Sequence, residues 1–403
     1  MKRTVCIFSI LLFVSPLAAF AQERMSLEAF LNKVREQNLD LKVESAKSEA
    51  AQANAVGLAI PPPMAGVSQM REDTGNTADG FEISQSIPFP TKLTSDRSAR
   101  QDAAKSQEEM RLARASEVLA KAKLLYFSLW ASQERLGLLR DKRQVLENHI
   151  KLARSSARSD SFAGIHLLKT ESDRDLVEND ILSAEQNVRE RQVEIAVFIN
   201  ADSNAFRVLA EEPPISFVPK IDSLTTSHQI RASTLSLESF KSRESEARAS
   251  WFPDINLRYK EMGTTRMFSG YKEVMVGVTL PFVFFWEPNS AVNKATAERN
   301  QAEYELEKQK REIEAERVVL ISKAEALKKQ LETLTNKLIP RAEKRMKLVH
   351  NLAPRDMETL QDHRETMEAF PDLKMKRLEL RMEFEQAISS LEKYISQKGS
   401  DHE

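Results

Sequence analysis

The sequence has little glycine, a single cysteine and almost no net charge. Only 10 of its 403 residues are glycine, and 59 basic residues nearly balance 60 acidic ones, leaving a formal charge of −1. A chain without a strong positive field lacks the electrostatic surface by which proteins bind nucleic acid. The one cysteine, Cys6, cannot form an internal disulfide. These absences exclude a disulfide scaffold and give no support for a nucleic-acid partner.

The most apolar stretch lies at the amino terminus and has the form of a secretory signal. Lys2 and Arg3 precede an apolar run at 7–14, and the small-x-small pattern at 19–21 is typical of a cleavage site. A membrane anchor is the alternative, but a spanning helix needs about 20 apolar residues. We therefore predict that residues 1–21 are a cleaved signal peptide, which also removes Cys6. Since no long apolar run follows, the exported chain is either soluble or enters the outer membrane as β-strands.

Glycine and proline are concentrated in a few places, and the stretches between them predict long helices. Residues 91–136, 165–212 and 289–339 contain neither residue and are rich in strong helix formers. A helix over about 91–157 would be roughly 100 Å long at 1.5 Å per residue. In the third stretch apolar residues recur in the seven-residue pattern of a coiled coil. They are Leu306, Ile313, Leu320, Leu327 and Leu334, with Ala324, Leu331 and Leu338 in the alternate positions. We predict a mainly α protein of long antiparallel coiled-coil helices.

Two short glycine-bearing regions alternate between apolar and polar residues, which is the pattern of β-strands. We predict four strands in two hairpins, at about 63–72, 80–90, 254–262 and 271–283. Each hairpin follows a helix and precedes a long helix that turns back, near 158–164 in the first case and near 350–356 in the second. This repeated order predicts a duplication with halves at 22–212 and 213–403.

The predicted hairpins have the length and the faces of membrane strands. Strands of about 9 to 11 residues suffice to cross a bilayer when tilted. Nine of the 27 aromatic residues fall within 251–286, a concentration typical of an interfacial girdle. A small sheet on a soluble domain is the alternative. In lipid, unpaired strand edges are costly, so several chains would have to share one barrel. The girdle candidates are Trp251, Phe282, Phe285 and Trp286.

Four short motifs stand around the hairpins and the second helical turn. They are QSIPFPTK at 85–92, ASWFPD at 249–254, VTLPF at 278–282 and LQDHR at 360–364. The first is similar to the "Q-x-I-P-x-P-G-K" stretch of the CusC/CzcC metal-efflux branch, with Thr91 in place of glycine, and the last to an "L-D-A-Q-R" stretch. Together with the duplicated order of elements, they resemble the TolC family of outer-membrane efflux proteins over essentially the whole mature chain.

This resemblance implies a homotrimer in which three sets of four transmembrane strands form a twelve-stranded barrel above an α-helical periplasmic cylinder. It implies a passive export channel with no catalytic residues and no cofactor, in contact with outer-membrane lipid. The partners would be a periplasmic adaptor (a membrane fusion protein) and an inner-membrane pump of the RND type. The branch favours heavy-metal cations as cargo. The candidates for the pore tip and gate are Asp160, Gly164, Glu358 and Asp362.

The main alternative function is a periplasmic coiled-coil adaptor or scaffold without a pore. Adaptors, however, carry glycine-rich lipoyl-like domains around one helical hairpin, whereas this chain has two hairpins and few glycines. No nucleophile elbow, phosphate loop or zinc motif is present, so an enzyme is not predicted. Histidines near the predicted helical turns lack the spacing of metal ligands, and we interpret them as surface residues rather than a metal site. They are His149, His166, His350 and His363.

Overall fold

The computed structural model describes most of the chain and shows a mainly helical molecule with two small sheets. The described residues are 23–71, 73, 75–156, 161–219, 227–265, 269–350 and 357–394. At 155–156, 161–163, 350 and 357–362 only the backbone is described. The predicted signal peptide therefore lies outside the described residues. Among the described helices, none is both long enough and apolar enough to cross a membrane.

Each half contains helix, then a two-stranded hairpin, then long helices, and the first half also has the short strands β1 and β4. The first half contains β1 (Glu23–Met25), α1 (Leu27–Gln37), α2 (Leu39–Asn54), β2 (Met64–Arg71), β3 (Thr77–Ile87), α3 (Pro90–Ser156), α4 (Ser161–Phe198) and β4 (Val208–Ala210). The second contains α5 (His228–Ala249), β5 (Ile255–Met262), β6 (Tyr271–Val278), α6 (Trp286–Thr333), α7 (Ile339–His350) and α8 (Met357–Glu392). The 67 residues of α3 span about 100 Å at 1.5 Å per residue, as the glycine-free stretch predicted.

A buried cluster fixes the middle of α3 against the start of the described chain. Phe30 on α1 stacks on Tyr126 of α3, with ring centroids 5.9 Å apart. The Tyr126 hydroxyl lies 2.6 Å from the Met25 carbonyl oxygen and 2.9 Å from that of Glu211. β1 pairs with β4 in parallel, and the Tyr126 hydroxyl connects the last residue of β1 to Glu211, which follows β4. Burial raises the pKa of the Tyr126 phenol to about 12, so it remains a hydrogen-bond donor.

The heptad pattern in α6 is largely buried, but its register changes at the carboxyl end. Leu306, Ile313, Leu327 and Leu334 are buried, and Leu320 is half-buried. From Leu334 to Leu338 the helix takes a π-helical form. A π-turn contains an extra residue, which shifts the apolar stripe by one position. Leu338, expected in the seam, is therefore exposed, and its neighbour Ile339 packs against the buried cluster instead.

The four hairpin strands form one antiparallel sheet in the order β2-β3-β5-β6. The central pair, β3 and β5, joins the two halves, with Ile87 opposite Ile255. β3 starts at Thr77 and ends at Ile87 rather than covering 80–90, because Pro88 interrupts the strand and α3 begins at Pro90.

The fourth strand is also shorter than predicted. β6 ends at Val278 rather than near residue 283, because Pro281 cannot donate to the ladder and begins a 3-10 turn at Pro281–Phe284. Three strands have eight residues, slightly fewer than the predicted 9 to 11, and β3 has 11.

Candidate functional site

The four-stranded sheet has one apolar face that is open to the surroundings. Because directly paired residues of an antiparallel sheet share a face, the strand register assigns every side chain to one side. The Val274 side chain on β6 is 75% exposed and that of Val67 on β2 is 95% exposed. The apolar residues on this face are Ala65, Val67, Phe81, Ile83, Ile87, Ile255, Leu257, Tyr259, Val274, Val276 and Val278. A continuous exposed apolar surface of this kind marks a contact with another molecule or with lipid.

The opposite face of the same sheet is polar and carries paired charges. Arg258 on β5 lies between Glu82 on β3 and Glu273 on β6, at 3.8 and 3.5 Å. Small or hydroxyl-bearing residues such as Ser84 and Gly277 share this face. The charges on this face come from β3, β5 and β6, and a membrane strand beside a water-filled interior has such an apolar side and a polar side.

The sheet ends in two unpaired edges within the described chain. β2 pairs only with β3, and β6 pairs only with β5. Each edge strand therefore presents a row of backbone N–H and C=O groups to its outer side. In water such edges can be solvated, but in hydrocarbon each unsatisfied group is strongly unfavourable.

The predicted girdle residues lie together at one end of the sheet. Trp251 precedes β5, and Phe282, Phe285 and Trp286 follow β6, so all four lie near the end where Ile255 pairs with Val278. All four side chains are exposed. They are not on the strand itself, since Phe282 lies in the 3-10 turn and Trp286 is the first residue of α6. Their membrane role remains a prediction.

Asp254 connects the two halves at this end of the sheet. Its Oδ1 accepts a hydrogen bond from the Phe89 amide at 2.9 Å and contacts the Lys92 ammonium at 2.7 Å. Its own amide donates to the Thr279 hydroxyl at 2.7 Å, and the rings of Phe89 and Phe252 stack with centroids 4.7 Å apart. Three of the four motifs singled out in the sequence thus meet at one residue, Asp254. The opposite charges of Lys92 and Asp254 are present in the sequence, but no sequence pattern indicated that they lie together.

A second cluster of polar contacts lies near the ends of the long helices, which we call the tip. The tip comprises the last two turns of α3, the first three turns of α4 and the first three turns of α8. Arg364 on α8 contacts the carboxylates of Asp173 on α4 and Glu368 on α8, the latter at 2.8 Å. Arg154 on α3 pairs with Glu171 on α4 at 2.8 Å. The Arg364–Asp173 and Arg154–Glu171 pairs join neighbouring helices near the tip.

Two of the histidines that we interpreted as surface residues are buried at the tip. His149 on α3 is 3% exposed and His363 on α8 is 9% exposed. His363 Nδ1 and His149 Nε2 are 3.2 Å apart, and the rings meet edge to face. The surface interpretation was wrong because the two residues are 214 positions apart, and only the packing of α8 on α3 brings them together.

The predicted gate residues are only partly described. Asp160 lies outside the described residues, and Glu358 and Asp362 belong to the first turns of α8 with side chains that are also outside them. Gly164 is half-buried in α4, and a Cβ added there would meet nothing within 4 Å. Among the described residues, no group of three or more histidine, cysteine or acidic side chains is placed to hold a metal ion.

The comparisons with known proteins agree with this architecture. A family described as "Outer membrane efflux protein" matches residues 222–352, which include α5, the second hairpin, α6 and α7. The outer-membrane channel OprN matches with a TM-score of 0.76 at 13% identity, covering 91% of this chain and 89% of that one. The open-state MtrE outer membrane channel of Neisseria gonorrhoeae matches with a TM-score of 0.74 at 16% identity, covering 92% of this chain and 88% of that one. A comparison with curated protein sequences finds no significant match.

The comparisons do not single out the metal-efflux branch that the motif at 85–92 resembled. CusC, which is described as forming a transmembrane channel, matches with a TM-score of 0.69 at 13% identity, over 90% of this chain and 91% of that one. This score is no higher than those of OprN and MtrE. OprN and MtrE are described as outer-membrane channels, the location that the sequence led us to expect. The chain therefore has the fold of the outer-membrane efflux channels and matches the model of that family through its second hairpin and the helices on either side.

Proposed function

We propose that this chain is one of three identical subunits of an outer-membrane channel that conducts its cargo passively from the periplasm to the exterior. Three copies of the four-stranded sheet would close into a twelve-stranded barrel in the lipid, and the long helices would form a cylinder in the periplasm. The chain itself would do no chemistry. Energy would come from an inner-membrane pump, joined to the channel through a periplasmic adaptor.

The observation that carries this proposal is the two-faced sheet with its two open edges. An exposed row of valines on β6 is compatible with lipid, and the Arg258 ion pairs on the other face are compatible with a water-filled lumen. Pairing the β6 edge of one copy with the β2 edge of the next would satisfy the backbone groups of both strands. The unpaired edges of β2 and β6 make a single copy unsuited to the membrane, and pairing them between copies favours assembly.

The tip is the proposed place of contact with the adaptor and of control over the pore. Gly164 and the early residues of α8, including Glu358 and Asp362, remain our gate candidates, together with Asp160. The support is their position at the ends of long helices that extend away from the sheet. Heavy-metal cations are the proposed cargo, with support only from the motif at 85–92.

Cell fractionation and cross-linking test this proposal against an adaptor or scaffold without a pore. We expect the protein in the outer-membrane fraction, released by detergent and cross-linked to a trimer, with stepwise conductance when reconstituted into planar bilayers. Recovery of a stable monomer in the aqueous periplasmic extract would refute the channel and favour the scaffold. A trimer without conductance would refute the pore alone.

Deletion of the gene tests the cargo separately. If metal cations are exported, the deletion strain will become more sensitive to divalent transition metals and will accumulate them, and the intact gene will restore both. Unchanged metal tolerance with increased sensitivity to organic toxicants would overturn the proposed cargo while leaving the channel proposal intact.

A further inference from the structure

The His149–His363 contact is a buried polar pair at a place where the surrounding helices are held by apolar seams. Leu139 and Leu146 on α3 pack with Val177 and Ile181 on α4 in the turns before the pair. Between α3 and α8, the facing nitrogens of the two buried imidazoles are 3.2 Å apart. A neutral pair at this distance shares one hydrogen bond, since one nitrogen carries the hydrogen and the other accepts it.

The surroundings of His149 favour its neutral form. Among the described side chains, the charged or titratable groups that act on the His149 ring are His363 and Arg364 on α8 and His166 on α4. The charge of Arg364 is compensated by Asp173 and Glu368. A proton added to either ring would place a positive charge in a buried site, and protons on both rings would set two N–H groups against each other.

We propose that the His149–His363 pair is a pH-sensitive latch of the tip, whose protonation releases α8 from α3 and favours an open tip in mild acid. This inference rests on the proposed channel function, because a released tip would widen the end of the helical cylinder. The latch itself is a property of two packed helices and can be measured without any conductance.

The sign and size of the effect follow from the ionisation of His149. Burial, and secondarily the nearby His363, Arg364 and His166, lower the pKa of His149 from 6.5 to about 4 in the latched arrangement. In a released tip the ring is hydrated and its pKa returns toward the ordinary value. Between these two values only the released form binds the proton, so falling pH favours release. At about pH 5 the ratio of released to latched tips would be about 30-fold higher than at about pH 7.5.

Thiol labelling of a buried position one turn from His149 reports how far the tip opens. Ala153 is a buried residue on α3, one turn beyond His149, and Lys151 nearby is exposed. In the full chain with Cys6→Ser, the labelling rate of Ala153→Cys is divided by that of Lys151→Cys, which corrects for the reactivity of the thiol at each pH. We expect the corrected rate to rise by up to about 30-fold between about pH 7.5 and about pH 5, in proportion to the released fraction.

Three histidine variants decide whether the pair is responsible. His149→Gln keeps a polar side chain but cannot titrate, and it is expected to reduce the rise to less than about threefold. His363→Gln removes only the second cause of the lowered pKa of His149, so it is expected to reduce the rise by less than His149→Gln does. His228→Gln is the matched control, because His228 is a half-buried histidine that contacts Glu109 on α3 and lies far from the tip. It is expected to keep the full rise.

Several results would overturn the latch. If the corrected labelling rate does not change with pH in the chain that keeps all its histidines, the latch is overturned, however the histidine variants fold. An unchanged rise in His149→Gln, or loss of the rise in His228→Gln, would also overturn the latch. Failure of the channel proposal would be recognised separately, as a protein that shows the pH-dependent labelling but neither trimerises nor conducts.

Discussion

Replacing Asp254 with alanine removes the acceptor at which both hairpins and the start of α3 meet. Its Oδ1 accepts from the Phe89 amide and contacts the Lys92 ammonium, at 2.9 and 2.7 Å. The side chains of Lys92 and Asp254 are only 18% and 26% exposed, so water replaces these bonds incompletely. A hydrogen bond to a charged group contributes about 1.5–3 kcal/mol, and we take about 1.5 kcal/mol for each because the site is partly hydrated. The substitution is therefore expected to weaken the junction by about 3 kcal/mol.

Hydrogen exchange of the full-length protein in detergent measures this loss at the junction itself. Since about 1.4 kcal/mol corresponds to a tenfold change in an equilibrium, Asp254→Ala should accelerate exchange of the Phe89 amide by about 100-fold. The peptide that covers residues 87–93 reports this amide. Lys92→Met should have a smaller effect, because the Phe89 bond survives, and the double variant should show a coupling of about 1 kcal/mol.

Asp79→Ala is the matched control, because it removes a carboxylate at the opposite end of the same sheet. The Asp79 carboxylate accepts a bond from Gln69 at 2.9 Å on an exposed surface at the far end of β3. Its loss should change stability by less than about 0.5 kcal/mol and leave exchange at 87–93 unaltered. If Asp254→Ala accelerates that peptide no more than Asp79→Ala does, Asp254 does not hold the hairpins together and our reasoning is refuted.

Three further outcomes follow from the sheet, the middle of α3 and the tip. Val274→Arg places a charge on the apolar face of β6, which should cost about 2–4 kcal/mol at the membrane midplane and prevent assembly in the outer membrane. Met275→Arg, on the polar face, should still assemble. Equal yields of the two variants in membrane fractions would contradict the assigned faces. Tyr126→Phe should lower stability by about 1 kcal/mol, seen as a lower melting temperature in detergent, because two carbonyls lose their shared donor. Arg364→Ala should accelerate exchange in α4 near Asp173 by roughly tenfold, while an unchanged rate would show that the ion pair does not restrain the tip.

Sequence patterns alone identified the elements of this fold because each pattern acts over a few residues. The predicted helix over about 91–157 agrees closely with α3, which continues through Gly137, since helix propensity is a local property. Alternation with a period of two located three of the strands, and the symmetry of the two hairpins located β2; the apolar sides of the three agree with the register. The errors arose at prolines. Pro88 and Pro281 end their strands earlier than the hydrophobic alternation indicated.

The positions at which distant segments meet were decided by the tertiary structure. Nothing local indicates that β3 pairs with β5, that Lys92 reaches Asp254, or that His149 and His363 lie in contact across 214 residues. The heptads predicted that the long helices pack but did not specify which helices face each other or where a π-turn shifts the stripe. Periodicity determines which side of an element is buried, whereas the partner and the register depend on the simultaneous packing of all the elements. For this reason the sequence predicted the two amphipathic hairpins, whereas only the folded chain showed the Asp254 junction and the histidine pair.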